Sequence, residues 1–160
     1  MVRLLPLALA GLALAACSDR DGNSTSITFS GDNTSGSIDG NGSVKIDTPG
    51  FKGDIQIPKI HLDAKDFDMN GVHLYPGSTI SSMDVNAKGD NDGAVKVAFK
   101  SPASATTVRD WLKERLDKAG FKLSAAGNGL TGKTDDGKDF SLSLDDAGAN
   151  ASAGTISIGS

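Results

Sequence analysis

The predicted fold is built on the run Val95-Lys96-Val97-Ala98-Phe99-Lys100-Ser101-Pro102. Three large apolar residues alternate here with Lys and Ala, which predicts a strand with one buried and one solvated face. Met83, Val85 and Ala87 alternate in the same way before it, and the turn-forming stretch Gly89-Asp90-Asn91-Asp92-Gly93 separates the two runs. We therefore expect an antiparallel hairpin at this point.

A helix is predicted directly after this hairpin. Either Ser101 caps it, with Pro102 at the first helical position, or Ser104 does. Apolar residues then recur at helical spacing and form a single stripe, comprising Val108, Trp111, Leu112, Leu116 and Ala119. Gly120 is expected just after the C-cap, with Phe121 contacting Leu116 in a Schellman ending. Trp111 is expected in the core because it belongs to the stripe.

Four further strands are predicted after the helix, separated by turns rich in Asn, Asp and Gly. Their clean alternation is typical of antiparallel sheets. The expected order over residues 74–160 is therefore β-β-α-β-β-β-β. We predict an α+β domain in which one helix lies across one face of an antiparallel sheet.

The region before this domain has a weaker pattern. Residues 17–50 are rich in Ser, Gly, Asn, Asp and Thr, which suits a polar tether. Ile27 and Phe29, and then Val44 and Ile46, alternate with polar residues on either side of Asp39-Gly40-Asn41-Gly42, which favours short strands equally.

Residues 51–73 are predicted to form short β-strands, with Pro58 marking an edge or a bulge. The stretch Gly42-Ser43-Val44-Lys45-Ile46-Asp47 and the strands after it are similar to the β-solenoid head of autotransporter adhesins. This similarity is confined to a short part of the chain and includes no diagnostic motif.

Residues 1–16 have the composition of a secretory signal peptide. Arg3 precedes an apolar stretch, and small residues lead up to Cys17, the only cysteine of the chain. Leu14-Ala15-Ala16-Cys17 resembles the lipobox of bacterial lipoproteins. The resemblance implies cleavage before Cys17, a diacylglyceryl thioether on its sulfur and an acyl group on the new N-terminus.

Two other interpretations of the leader are less consistent with the sequence. A transmembrane helix needs about 20 apolar residues, and the apolar stretch of the leader is shorter than this. A plain secretory signal would leave Cys17 as a lone thiol on an exported protein. Several acyl chains, by contrast, anchor a protein stably. The resemblance to Gram-negative lipoproteins extends to sorting, because Ser18 stands where an aspartate would retain the protein in the inner membrane. The outer membrane is therefore expected.

Charge and composition argue against several functions. The chain has 16 Lys and Arg against 20 Asp and Glu, a net charge of −4, and no basic cluster. Nucleic acid is therefore not an expected partner. With Cys17 lipidated, no disulfide can form.

No catalytic, metal or cofactor motif is recognised. His61 and His73, the only histidines, lack the companions that zinc sites require, and the Asp-rich stretch from Asp19 fails the EF-hand pattern. The Gly-x-Gly-x-x-Gly match from Gly127 lies between strands, not between a strand and a helix. The acid pairs at Asp135 and Asp145 fall in turns. We expect no cofactor, no metal and no catalytic residue.

The sequence thus predicts a non-enzymatic, lipid-anchored envelope protein with four segments: residues 1–16, 17–50, 51–73 and 74–160. Its expected partners are the membrane, through lipid on Cys17, and another envelope protein that it binds or braces. The alternatives are a surface-exposed adhesin-like or glycan-binding module and, third, a carboxylate-dependent envelope hydrolase.

Overall fold

The computed structural model describes residues 25–88 and 92–159, without the side chains of Lys88 and Asp92. Its elements are eleven strands, a helix and a short 3₁₀ turn at Ala64–Asp66. Before the helix come β1 (Ser26–Gly31), β2 (Thr34–Ile38), β3 (Ser43–Thr48), β4 (Phe51–Gln56), β5 (Leu62–Asp63), β6 (Thr79–Lys88) and β7 (Asp92–Ser101). The helix is α1 (Ala105–Lys118), and β8 (Lys122–Ala126), β9 (Gly129–Lys133), β10 (Asp139–Gly148) and β11 (Ala151–Ile158) follow it.

All these strands belong to one sheet. Ten of them lie in the order β4-β3-β2-β1-β6-β7-β11-β10-β9-β8, and β5 pairs with the start of β6. β1 runs parallel to β6, with Ile27 opposite Met83, and the other neighbouring pairs are antiparallel. The sheet is therefore mixed.

The predicted α+β class is wrong: the chain is a β-rich fold in which one large mixed sheet carries a single helix. The sheet continues from β6 into β1–β4, which we call the sheet extension, and so crosses the expected boundary at residue 73. Each extension strand has only five or six residues, too few for periodicity to separate strand from tether. The extension strands are ordered because β1 pairs with the ten-residue β6, whereas their intrinsic β-propensity alone does not determine their structure.

The extension is also not a β-solenoid. Its strands form an antiparallel meander within the common sheet. The predicted Asp39–Gly42 turn does connect β2 to β3. Of the turn predicted at 89–93, residues 89–91 lie outside the described residues.

Each face of the sheet keeps one chemical character across nearly its whole width. One row of cross-strand neighbours is apolar from β4 to β9: Ile55, Val44, Ile38, Ile27, Met83, Val97, Ile156, Leu142 and Leu130. The neighbouring row on the opposite face is polar: Asp54, Lys45, Ser37, Thr28, Asp84, Lys96, Ser157, Ser141, Thr131 and Ser124. This separation follows from the alternation of side chains along a strand.

The helix covers only part of the apolar face. α1 packs on β8–β11 and buries Val108, Leu112 and Leu116, while the segment between β5 and β6 adds further apolar residues to the same core. The row members on β7 and β9–β11 are accordingly at most 3% exposed, whereas Ile55, at the other end of the row, is 51% exposed. Within the described ranges, no helix combines the length and the apolar character needed to cross a membrane.

Both ends of α1 are capped by local signals. Ser104 is the N-cap, and its Oγ accepts a hydrogen bond from the Thr107 N–H at 3.3 Å. At the other end, Gly120 has a φ of +94° and the Phe121 N–H donates to the Leu116 carbonyl at 3.0 Å. The predicted Schellman ending is therefore confirmed, and Ser104 rather than Ser101 begins the helix.

Replacing Ser104 by alanine should lower the free energy of unfolding by about 1 kcal/mol, because the Thr107 N–H loses its acceptor. Ser104→Asp keeps an acceptor at the helix start and should stay close to the wild type. Urea denaturation measures both. Equal stability of the alanine variant and the wild type would show that this cap contributes nothing.

Candidate functional site

The residues that the sequence singled out do not converge on one site. Cys17 and Ser18 lie outside the described residues. His61 is exposed, and His73 lies with Nδ1 3.3 Å from the Phe67 carbonyl and Nε2 3.7 Å from Oδ2 of Asp68. In residues 25–88 and 92–159, no three His, Cys, Asp or Glu side chains are grouped so as to hold a metal ion.

Three of the four paired acids have hydrogen-bond partners, one of them local in sequence and two of them distant. Asp135 accepts from Nδ2 of Asn70 at 3.1 Å, and Asp136 accepts from the Thr134 hydroxyl. That hydroxyl hydrogen bond lowers the pKa of Asp136. Asp146 accepts from the Ala105 N–H at 2.9 Å, so it satisfies a free donor at the start of α1. This bond joins residues 41 apart in sequence, and no local signal predicts it.

The Gly-x-Gly-x-x-Gly match begins in the β8–β9 turn and continues into β9, so it lies between and within strands. A phosphate cradle of the dinucleotide type needs a helix N-terminus after the turn. The glycines have a structural use instead. A Cβ on Gly129 would lie 2.0 Å from the Leu142 carbonyl oxygen, so this position needs glycine for the close approach of β10.

The Asp39 turn is held by its own carboxylate. Oδ1 of Asp39 accepts from the N–H groups of Asn41 at 2.9 Å and Ser43 at 3.0 Å. These backbone donors, with Ser43 the stronger, hold the pKa of Asp39 below its ordinary value. Turn geometry therefore accounts for this part of the Asp- and Asn-rich stretch.

We expect the Asp39 carboxyl to titrate below the ordinary pKa of 3.8 in the folded protein. Since this pKa is lower in the folded than in the unfolded state, the interaction stabilises the fold above the unfolded-state pKa. It is lost as the pH falls through the folded-state value. Side-chain carboxyl NMR measures the titration directly, and a midpoint at or above 3.8 would contradict the assignment.

In the part of the chain that the structure describes, the sheet extension has one apolar face that α1 does not cover. This extension face comprises Ile27, Phe29, Ile38, Val44, Ile46, Phe51 and Ile55. The Phe29 ring lies over Gly36 on β2, where an added Cβ would be 2.1 Å from its Cζ. Phe51 likewise lies over Gly53. The rings shield strand glycines and remain exposed to solvent themselves.

The two edge strands of the sheet, β8 and β4, differ in how much apolar surface they expose. On β8, Leu123 is buried and the other residues are Lys, Ser or Ala. On β4, Phe51 is 57% exposed and Ile55 is exposed beside it. An edge strand carries backbone N–H and C=O groups without a neighbour. β4 therefore joins unpaired backbone groups to exposed large apolar side chains, which β8 does not.

A separate groove of about 900 Å³ lies between the segment that leads into β6 and the C-terminal half of α1. Trp111 lines it and is partly buried against the core. Trp111 was predicted to lie in the core. It packs against the core on one side, as predicted, and lines the groove on the other. The edge of the Tyr75 ring contacts Trp111 at a centroid distance of 5.5 Å.

No protein-family profile matches this chain, and no curated protein or solved structure is significantly similar to it.

Proposed function

We propose that the protein is a non-enzymatic bacterial lipoprotein, anchored through Cys17 in the outer membrane, that binds another envelope protein through the extension face and the β4 edge. The resemblance of Leu14-Ala15-Ala16-Cys17 to a lipobox supports the anchor, and Ser18, in place of an aspartate, supports the outer membrane. The observation that supports the binding role is an apolar face that α1 does not cover, within the described residues, and that ends at the edge strand β4.

The other half of the sheet supports a proposal for the kind of surface that covers the extension face. On β8–β11 the same face of the same sheet is covered by the apolar stripe of α1. Large contiguous apolar patches on monomeric proteins often mark protein-binding sites, and Phe29, Phe51 and Ile55 are the exposed members of this face. The partner should therefore contribute an apolar surface that packs on Phe51 and Ile55, with an extended segment free to pair with β4.

The anchor would keep this surface near the membrane. Seven residues separate Cys17 from Thr25, where the described structure begins, and the eight Cα–Cα steps between the two span at most about 29 Å. Thr25 is buried, and its N–H donates to the Ile60 carbonyl at 3.1 Å. The extension is thus attached directly behind the lipid, and its partner should be membrane-bound or lie close to the membrane.

The test is photo-crosslinking in living cells with benzoylphenylalanine at position 51, in the chain with an intact Cys17. Position 52, in the same strand but on the opposite face, is the matched control. Ile55→Glu places a charge on the exposed face at little cost in stability, while Gln56→Glu makes the same change on the other face. Cys17→Ala removes the anchor.

We expect one adduct with an envelope protein from position 51 and none from position 52. Ile55→Glu and Cys17→Ala should each reduce it about tenfold or more, and Gln56→Glu should leave it unchanged. An adduct with the mass of two copies of this chain would show that the extension face binds a second copy of the chain, and would contradict binding to another envelope protein. Absence of any adduct from a lipidated protein would overturn the docking proposal.

Protease treatment of intact cells separates this proposal from the adhesin-like or glycan-binding alternative. Protection of the chain agrees with a partner inside the envelope. Cleavage would place the extension on the cell surface and favour the alternative.

A further inference from the structure

We propose that the groove between α1 and the segment from Asp63 to Ser78 is a binding site for a small anionic amphiphile, a molecule with a short apolar chain and a phosphate or carboxylate group. This site is separate from the extension face and does not depend on the anchor. Its volume of about 900 Å³ is within the range of small-molecule sites.

The groove has an apolar interior. Leu74, buried in the core, and Ala64 lie at its base, and Trp111 forms one wall. The backbone fixes this base, since the Leu74 N–H donates to the Ala64 carbonyl at 3.2 Å and the Ala64 N–H to the Ser78 carbonyl at 2.9 Å. An alkyl chain placed here would exchange water for apolar contacts.

The rim of the groove is cationic although the chain is acidic overall. Three cationic residues line the groove, Lys65, Arg115 and Lys118, and the lining includes one carboxylate, that of Asp63. The whole chain, by contrast, carries a net charge of −4. Lys118 is paired with Glu114 at 2.7 Å, and the Arg115 guanidinium stacks on Trp111 at 4.0 Å from the ring centroid. Within the described residues, no ion pair engages Lys65. An anionic group is the complementary ligand.

One buried hydroxyl in this groove is unsatisfied. Ser78 lines the groove and is 1% exposed, yet its Oγ has no hydrogen-bond partner among the described residues. A buried hydroxyl without a partner costs free energy. Ser101 and Ser152, which do not line the groove, also have unsatisfied buried hydroxyls, so the cationic rim and the apolar interior, rather than Ser78, carry the assignment of a ligand.

The test uses the full chain, purified with its anchor and reconstituted in phosphatidylcholine vesicles. Trp111 is the only tryptophan and lines the groove, so intrinsic tryptophan fluorescence reports changes in the surroundings of this residue. The probe is hexyl phosphate, compared with hexanol, hexyltrimethylammonium and inorganic phosphate at the same concentrations. Lys65→Gln and Lys65→Arg alter the rim, and Lys113→Gln, on α1 outside the groove and paired with Asp117, is the matched control.

We expect a saturable change of Trp111 emission with hexyl phosphate alone. Lys65→Gln should raise its Kd about tenfold, which corresponds to the loss of one charge-assisted contact, whereas Lys65→Arg and Lys113→Gln should stay within about twofold of the wild type. No saturable response, an equal response to hexanol or to the cation, or indifference to Lys65→Gln would each overturn the proposal. If inorganic phosphate bound as tightly as hexyl phosphate, the alkyl chain would contribute nothing to binding, and the proposal of an amphiphile as the ligand would be overturned.

Discussion

Gly154→Val should lower the free energy of unfolding by about 3 kcal/mol, because β7 and β11 leave no room for a side chain at this position. Gly154 is buried opposite Phe99. A Cβ there would lie 2.5 Å from Cζ of Phe99 and 2.8 Å from Cδ2 of Leu144. Both neighbours are themselves buried, so neither can move aside without disturbing the core.

Gly93→Val is the matched control for this prediction, and urea denaturation measures both variants. Gly93 is an exposed residue of β7, and the nearest atom to its Cβ position would be the Asn86 carbonyl oxygen at 3.6 Å. Its stability should change by about 0.5 kcal/mol or less. A Gly154→Val variant as stable as Gly93→Val would show that β7 and β11 do not pack in this register.

Leu112→Ala should destabilise the protein by about 2–5 kcal/mol, because it leaves a cavity between α1 and the sheet. Leu112 is fully buried at the centre of the helix. The unfolding midpoint in urea should fall while its slope stays unchanged, since the same surface is exposed on unfolding.

Lys113→Ala tests the same helix without touching the core. Lys113 pairs with Asp117 at 2.6 Å, and this i,i+4 ion pair is partly exposed. Its loss should cost about 0.5 kcal/mol. If Leu112→Ala cost no more than Lys113→Ala, the helix would not be packed on the apolar face as described.

The helix and its ends were predictable because their signals are local. The residues that determine the helix lie within it or next to its ends. The apolar stripe is part of the helix, Ser104 precedes its first turn, and Gly120 and Phe121 follow its last turn. The identity of the N-cap was open between two serines, since Pro102 is compatible with either, and only the position of the chain over the sheet decides for Ser104.

The extension was not predictable to the same degree, because it depends on a nonlocal pairing. β1 is next to β6, more than fifty residues away in sequence, and the segment from 57 to 78 returns the chain to that edge. Strands such as Thr34–Ile38 contain too few apolar residues to indicate a face by themselves. Their pattern becomes clear only when the rows across the sheet are aligned.

The groove was missed for a related reason. Trp111 could be assigned to the helix stripe, but the stripe does not indicate what lies against its margin. The opposite wall is the segment from Asp63 to Ser78, which was predicted as short strands up to residue 73 but consists of the end of β5, the 3₁₀ turn at Ala64–Asp66 and mostly irregular backbone after it. The unsatisfied Ser78 hydroxyl is a property of the folded core and has no counterpart in sequence.

We propose that lipid on Cys17 holds the sheet at the membrane. Mass spectrometry of the N-terminal peptide, from protein expressed in a Gram-negative host, tests this proposal. We expect a mature chain that begins at Cys17 and carries a diacylglyceryl group and an N-acyl group, and a Cys17→Ala variant without this modification. A mature chain that begins at another residue, or an unmodified Cys17, would contradict it.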